Sequence, residues 1–87
     1  MSLTHLQADR KYEVIQAFTD FDGRVHPIGE TWWFRGDNYL PYDDGLSLFL
    51  SPDGVKDIQV RMRWLPGDQG EILDRFKDYV REVPSGK

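Results

Sequence analysis

Cysteine is absent from this sequence, as are an excess of basic residues and any long hydrophobic run. Without cysteine the chain can form neither disulfide bridges nor thiolate zinc sites or thiolate nucleophiles. The longest apolar runs, such as Leu48–Phe49–Leu50, have only three residues, far below the roughly 20 residues that a membrane-spanning helix needs. The N-terminus also lacks the basic and apolar regions of a signal peptide. We therefore expect a cytoplasmic protein that makes no contact with a membrane.

Acidic residues outnumber lysine and arginine, 15 against 11, which gives a formal net charge of −4. Nonspecific affinity for nucleic acids comes largely from excess lysine and arginine, so this balance argues against a nucleic-acid ligand. At 87 residues the chain is long enough for one compact core and too short for two. The composition favours a single domain whose partner is another protein or a second copy of the chain.

Four segments with alternating apolar residues predict a mainly β domain. They are Lys11 to Phe18, Glu30 to Arg35, Leu46 to Ser51 and Ile58 to Trp64. The Asp22–Gly23 pair predicts a turn between the first two strands, and Gly36 to Gly45 is predicted to be a turn-rich connection.

The last two strands predict a hairpin whose register can be argued. A two-residue Asp53–Gly54 turn would place Leu48 opposite Gln59 and set an apolar face against a polar one. A three-residue loop of Pro52, Asp53 and Gly54 instead pairs Leu48 with Ile58. In this register Phe49 faces away from the core.

A single helix is predicted after the hairpin. Pro66–Gly67 ends the sheet, and Asp68 with Glu71 three residues later resembles a capping box. One apolar stripe follows at helical spacing and consists of Ile72, Leu73, Phe76, Val80 and Val83. We predict a helix over residues 68–82 that packs against the sheet.

These elements define a fold class that is mainly β with a C-terminal α-helix. The predicted architecture is a small SH3-like barrel, and a strongly twisted antiparallel sheet is the alternative. Residues 11–83 are expected to form the domain. Residues 1–10 are expected to be poorly ordered or to form a short helix, and residues 84–87 to form a flexible tail.

Two segments carry a family resemblance. His26 to Phe34 (HPIGETWWF) and Leu40 to Phe49 (LPYDDGLSLF) resemble a small bacterial family of unknown function, with similarity from about Tyr12 to Val80. The resemblance implies a compact bacterial domain, and it implies no catalytic residues.

Catalytic and metal-binding motifs are missing. The two histidines, His5 and His26, are too few for most histidine metal sites. Asp20 to Gly23 resembles the start of a calcium loop, but the later acidic ligands are absent. We predict no metal, no cofactor and no enzyme activity. His26 is predicted to lie in a turn, and a hydrolase-like site in which Asp20, Asp22 or Glu30 orients it is the minor alternative.

The residues that this fold leaves unexplained are aromatic. Phe21, Trp33, Tyr39, Tyr42 and Phe49 fall in loops or on the less apolar strand faces, where they either complete the core or form a binding surface. The predicted surface consists of Trp33, Tyr39, Tyr42, Phe49, Arg61 and Arg63. The first functional hypothesis is a noncatalytic protein-interaction module. The alternative is a small acidic inhibitor of the immunity or antitoxin kind, whose carboxylates block a basic site.

Overall fold

The structure, a computed structural model, describes residues 6–41 and 44–84. Its elements are β1 (Lys11–Val14), β2 (Phe18–Thr19), β3 (Val25–His26), β4 (Thr31–Leu40), β5 (Gly45–Ser51), β6 (Ile58–Arg63), α1 (Gly70–Asp74), a 3-10 turn (Phe76–Asp78) and β7 (Val80–Glu82). Five strands form one antiparallel sheet in the order β6-β5-β4-β1-β7, and β2 pairs with β3 in a small hairpin. The prediction of a mainly β domain is confirmed.

One face of the large sheet builds the core. Leucines 46, 48 and 50 of β5 alternate inward and are at most 1% exposed, and Val60 and Met62 of β6 lie beside them. Burying each leucine side chain contributes roughly 2 kcal/mol. Phe76, which follows α1, packs into the same cluster. The other sheet face is left to polar and aromatic side chains.

The sheet is open rather than closed. In the part of the chain that the structure describes, β6 and β7 form its two edges and do not pair with each other. The chain after β6 crosses to the opposite edge of the sheet, where β7 pairs with β1. The SH3-like barrel of the sequence prediction is therefore not formed, and the alternative of an antiparallel sheet is the one that fits. Among the described residues no helix is long and apolar enough to span a membrane.

Strand β4 is longer than the sequence predicted. Gly36 to Gly45 was expected to be a connection, but β4 continues to Leu40 and pairs with β5 throughout. A bulge between Phe34 and Gly36 shifts the register, and Gly36 adopts a φ of +154° that favours glycine. The extra residue reverses which side chains point inward. Tyr39 consequently lies on the core side of the sheet.

The β5–β6 hairpin keeps the predicted faces but not the predicted register. Leu48 pairs with Val60 rather than Ile58, so the loop is wider than three residues. Asp53 explains the difference, because its Oδ1 accepts hydrogen bonds from the amides of Val55 and Lys56, each at 2.9 Å. This Asx-type turn organises a longer loop. Gly54 in this loop adopts a left-handed conformation, with φ of +82°.

The Asp53 turn gives a testable pH dependence. The hydrogen bonds from the Lys56 and Val55 amides hold the pKa of Asp53 below 3.8 in the folded protein. Because the folded pKa is lowered, the stability that Asp53 contributes is present above pH 3.8 and is lost as the pH falls through the folded value. We expect a carbon-detected NMR titration of the Asp53 carboxyl group to give a midpoint below 3.8. The same group in urea-unfolded protein is the control, and equal midpoints would contradict the prediction.

The predicted helix over 68–82 is wrong in its extent. Helix α1 spans only Gly70–Asp74, a 3-10 turn follows, and Val80–Glu82 form β7. The predicted capping box is also absent, because Gln69 occupies the N-cap position without a side-chain cap bond. The apolar stripe predicted one long helix, but α1, the 3-10 turn and β7 together bury the same residues, Leu73, Phe76 and Val80. Pairing with β1 draws residues 80–82 into the sheet.

The segment before β1 is packed rather than helical. Leu6 is 7% exposed and belongs to the core. The Gln7 amide donates to the Tyr12 hydroxyl at 2.7 Å, and the Asp9 amide donates to the Phe34 carbonyl at 2.6 Å. Residues 6–10 therefore form an anchored turn. The predictions for residues 1–5 and for the tail beyond Pro84 lie outside the described residues.

Candidate functional site

The turn between β2 and β3 presents an aromatic side chain on the surface. Asp20 shapes this turn, because its Oδ1 accepts hydrogen bonds from the amides of Asp22 and Arg24, both at 3.0 Å. Gly23 closes the turn with φ of +86°. Phe21 stands at the tip, and 45% of it is exposed.

Strand β6 contacts Phe21 through one backbone hydrogen bond and through two arginine side chains. The Phe21 amide donates to the Arg61 carbonyl at 2.9 Å. The guanidinium carbons of Arg61 and Arg63 lie 6.0 and 5.9 Å from the centre of the Phe21 ring. Guanidinium groups at this distance are attracted to an aromatic face. The ring is thus held beside two cations at the edge of the sheet.

Asp22 fixes one of these arginines. Arg61 donates from Nη2 to Asp22 Oδ1 at 2.5 Å and from Nε to Asp22 Oδ2 at 3.2 Å. This two-point pairing raises the pKa of Arg61 and lowers the pKa of Asp22, chiefly through the side-chain hydrogen bonds. Both groups are exposed, so the pair orients Arg61 more than it stabilises the fold.

A groove of about 350 Å³ lies next to Phe21, on the outer face of β5 and β6. We call it the Phe21 groove. Its principal side chains are Phe21, Leu40, Ser47, Gln59, Arg61 and Arg63. Gln59 donates to the Ser47 hydroxyl at 2.8 Å and so fixes the floor. The described residues of the lining include two arginines and no carboxylate, in a chain whose formal net charge is −4.

The structure brings together only part of the predicted binding surface. Arg61 and Arg63 line the groove, and Phe49 lies on the same sheet face opposite Gln59. Tyr42 lies outside the described residues.

Two predicted aromatics lie elsewhere. Trp33 is half-buried near the start of β4, where the Lys11 ammonium sits 4.7 Å from its ring centre. Tyr39 packs edge-on against Trp64, with ring centres 6.2 Å apart, and donates its hydroxyl to Asp44 at 2.7 Å. The bulge in β4 is what turns Tyr39 away from the groove.

Phe21 was named among the unexplained aromatics but left out of the predicted surface. Its signal is present in the sequence, since an aromatic residue between two aspartates in a tight turn has no core position to fill. Its contact with β6 could not be read from the sequence, because it joins residues about forty positions apart.

His26 does not lie in an open turn as predicted. It belongs to β3 and is 2% exposed. Its Nε2 lies 2.9 Å from Asp20 Oδ2 and its Nδ1 lies 2.7 Å from Glu30 Oε1. The Phe18 ring stacks on the imidazole, with ring centres 4.8 Å apart.

Asp20, His26 and Glu30 form a buried cluster, which we call the His26 cluster. It places a carboxylate within hydrogen-bond distance of His26, as the hydrolase alternative requires. However, both ring nitrogens are already hydrogen-bonded and the ring is almost wholly covered. A general base must reach the proton that it removes, and His26 offers no such access in this arrangement. No group of three or more His, Cys, Asp or Glu residues in ranges 6–41 and 44–84 is arranged to hold a metal ion. His5 lies outside those ranges.

Comparison with protein families gives a match over nearly the whole fold. Residues 4–83 match a family described as a domain of unknown function, DUF3601. The chain belongs to the DUF3601 family. No curated protein matches the chain.

The DUF3601 domain is also similar to a solved structure. That structure is an integron cassette protein from the mobile metagenome of Vibrio cholerae, with 30% sequence identity and a TM-score of 0.88. The alignment covers 93% of this chain and 89% of the cassette protein. The predicted resemblance to a family of unknown function is thereby confirmed. The family brings no assigned functional residues to this site.

Proposed function

We propose that this DUF3601 domain is a noncatalytic protein-interaction module and that the Phe21 groove is its binding surface. The observation that carries the proposal is an exposed phenylalanine held beside Arg61 and Arg63 on the outer face of the sheet. Aromatic residues and arginine are enriched in protein interfaces and supply much of their binding energy. The groove sits on paired strands, so little ordering is needed when a partner binds.

The partner that fits this groove is a protein segment with a carboxylate beside an apolar side chain. Phe21 and Leu40 offer apolar contact, while the arginines offer donors in the planar arrangement that carboxylates accept. Asp22 uses two of the Arg61 nitrogens, Nε and Nη2. Among the described residues that line the groove there is no carboxylate to repel an acidic partner, and the nearby Asp22 carboxylate is paired with Arg61.

The partner binds through side chains rather than by adding a strand to the sheet. Strand β6 is an edge, but three of its outward backbone groups next to the groove already have hydrogen-bond partners. The Arg61 carbonyl accepts from Phe21, and the amide and carbonyl of Arg63 both bond to Gln69. An added strand would need these groups free.

Selection of peptides tests this proposal. We expect a phage-displayed library of random peptides, panned on the purified domain, to yield peptides with Asp or Glu next to an aliphatic or aromatic residue. Arg63→Glu reverses the charge at the groove and is expected to weaken their binding at least about tenfold.

Lys77→Glu is the matched control, because it makes the same charge change on the exposed 3-10 turn and should leave binding unchanged. Enrichment of basic peptides, or equal binding by the Arg63→Glu variant, would overturn the proposal. So would tight binding of a single-stranded oligonucleotide at the same groove. The acidic-inhibitor alternative stays a prediction. The two arginines that line the groove do not favour it, since an inhibitor of this kind would bind through carboxylates.

A further inference from the structure

The Phe21 groove and the buried His26 cluster are joined by a continuous set of hydrogen bonds. We propose that Asp20, His26 and Glu30 are positioning residues for the groove, which hold the Phe21 ring in place beside Arg61 and Arg63. The biological meaning of this role rests on the function proposed above, whereas its structural content does not.

At the inner end, the cluster is anchored to the core. Glu30 Oε1 accepts hydrogen bonds from the Trp32 indole nitrogen at 3.2 Å and lies 2.7 Å from His26 Nδ1. Trp32 is 2% exposed on β4. Phe18 covers the imidazole and itself packs edge-on against Phe76, with ring centres 5.4 Å apart. The His26 ring therefore has a fixed place between the large sheet and the small hairpin.

At the outer end, Asp20 links the His26 ring to the β2–β3 turn. Its Oδ2 lies 2.9 Å from His26 Nε2, while its Oδ1 accepts from the amides of Asp22 and Arg24. Asp20 is only 5% exposed, so these bonds are shielded from water. Phe21 lies between Asp20 and Asp22 in the chain. Fixing the Asp20 carboxylate therefore fixes the backbone on both sides of the aromatic ring.

The surface contacts of Phe21 are weaker determinants of its position. The Arg61–Asp22 pair joins side chains that are 57% and 47% exposed. Exposed ion pairs contribute little to stability because water competes for both partners. The backbone bond from Phe21 to Arg61 is a single contact at a sheet edge. The buried cluster is thus the part of the arrangement that resists displacement.

Amide hydrogen exchange measured by NMR on the free protein tests this role without any partner. In His26→Leu both hydrogen bonds of the ring are lost, and we expect the Phe21 amide to exchange at least about tenfold faster relative to the Val60 amide. Val60 pairs with Leu48 in the β5–β6 ladder and reports global unfolding. Nuclear Overhauser contacts from the Phe21 ring to Arg61 and Arg63 should disappear in the same variant.

Two variants separate positioning from general stability. Leu50→Ala opens the core away from the cluster and should accelerate the Val60 amide at least as much as the Phe21 amide, so the ratio of the Phe21 rate to the Val60 rate should not rise. Asp20→Asn keeps an oxygen that accepts from the turn amides and an N–H that can donate to His26. In this variant the ratio of the Phe21 exchange rate to the Val60 exchange rate should stay within about threefold of the wild-type value.

If His26→Leu does not fold, Glu30→Ala is the second variant. It removes the inner bond to His26 at a side chain that is 30% exposed, and we expect the ratio to rise at least about threefold. An unchanged ratio in folded His26→Leu and Glu30→Ala, or the same rise in Leu50→Ala, would overturn the proposal. Because no peptide is used, failure of the groove to bind peptides would leave this result unaffected.

Discussion

His26→Leu is expected to lower the free energy of unfolding by about 1 to 3 kcal/mol, the usual cost of leaving a buried polar group without its hydrogen-bond partner. Leucine approximates the volume of histidine but cannot hydrogen-bond, so Asp20 Oδ2 would lose its partner at a site that is only 5% exposed. A buried carboxylate without a partner is costly because it has given up its hydration. Urea denaturation followed by tryptophan fluorescence measures the change.

The neighbouring strand position supplies the control for this prediction. Val25 precedes His26 on β3 but is 59% exposed, so Val25→Ala should change stability by about 0.5 kcal/mol or less. A loss below about 1 kcal/mol for His26→Leu would mean that the two hydrogen bonds contribute little, and that burial of the ring alone accounts for this position.

The histidine also shows how far a sequence argument reaches. Asp20, Asp22 and Glu30 were identified as neighbours of His26 in the chain, and two of them do bond to it. The burial of the ring was missed, because turn residues such as Pro27 dominate the local pattern. What covers the imidazole is Phe18, which reaches it through the pairing of β2 with β3. The Asp22–Gly23 turn between these strands was predicted, but the register that sets Phe18 opposite His26 was not.

The sheet was predictable where period-two alternation is strong and unpredictable where one residue interrupts it. Leu46, Leu48 and Leu50 face the core as the alternation indicates. In β4 the bulge after Phe34 exchanges the two faces, so alternation counted from Trp32 puts Tyr39 on the wrong side. The same event explains why Tyr39 is absent from the groove while Leu40 lines it.

The C-terminal segment illustrates a different ambiguity. A stripe at positions 73, 76 and 80 satisfies a helix, but a short helix followed by a 3-10 turn buries the same residues. What decides between them lies outside the segment, since β1 has a second edge and Val14 pairs there with Val80. Backbone groups at a buried edge must find partners. The helix prediction considered only the local pattern and therefore ran through residues that the sheet requires.

Phe76 connects this segment to the candidate site, and its replacement carries the second large expected effect. Phe76 is 1% exposed and packs edge-on against Phe18, the residue that stacks on His26. We expect Phe76→Ala to lower the free energy of unfolding by about 3 to 5 kcal/mol, as is usual when a large buried side chain leaves a cavity. Equilibrium urea denaturation measures this loss, with Lys77→Ala on the exposed neighbour as the control.

The position of Phe76 also predicts how its replacement couples to the cluster. Residues that share a packing partner show nonadditive effects, and Phe18 lies between Phe76 and His26. Because His26→Leu can be strongly destabilising, the milder Glu30→Ala is the better second member of a double-mutant cycle. We expect a coupling energy of at least about 0.5 kcal/mol between Phe76→Ala and Glu30→Ala, since loosening of Phe18 by either change weakens the hold on the imidazole. Strict additivity would mean that the core and the hydrogen-bonded cluster act independently, and that the groove is anchored by the cluster without support from the C-terminal segment.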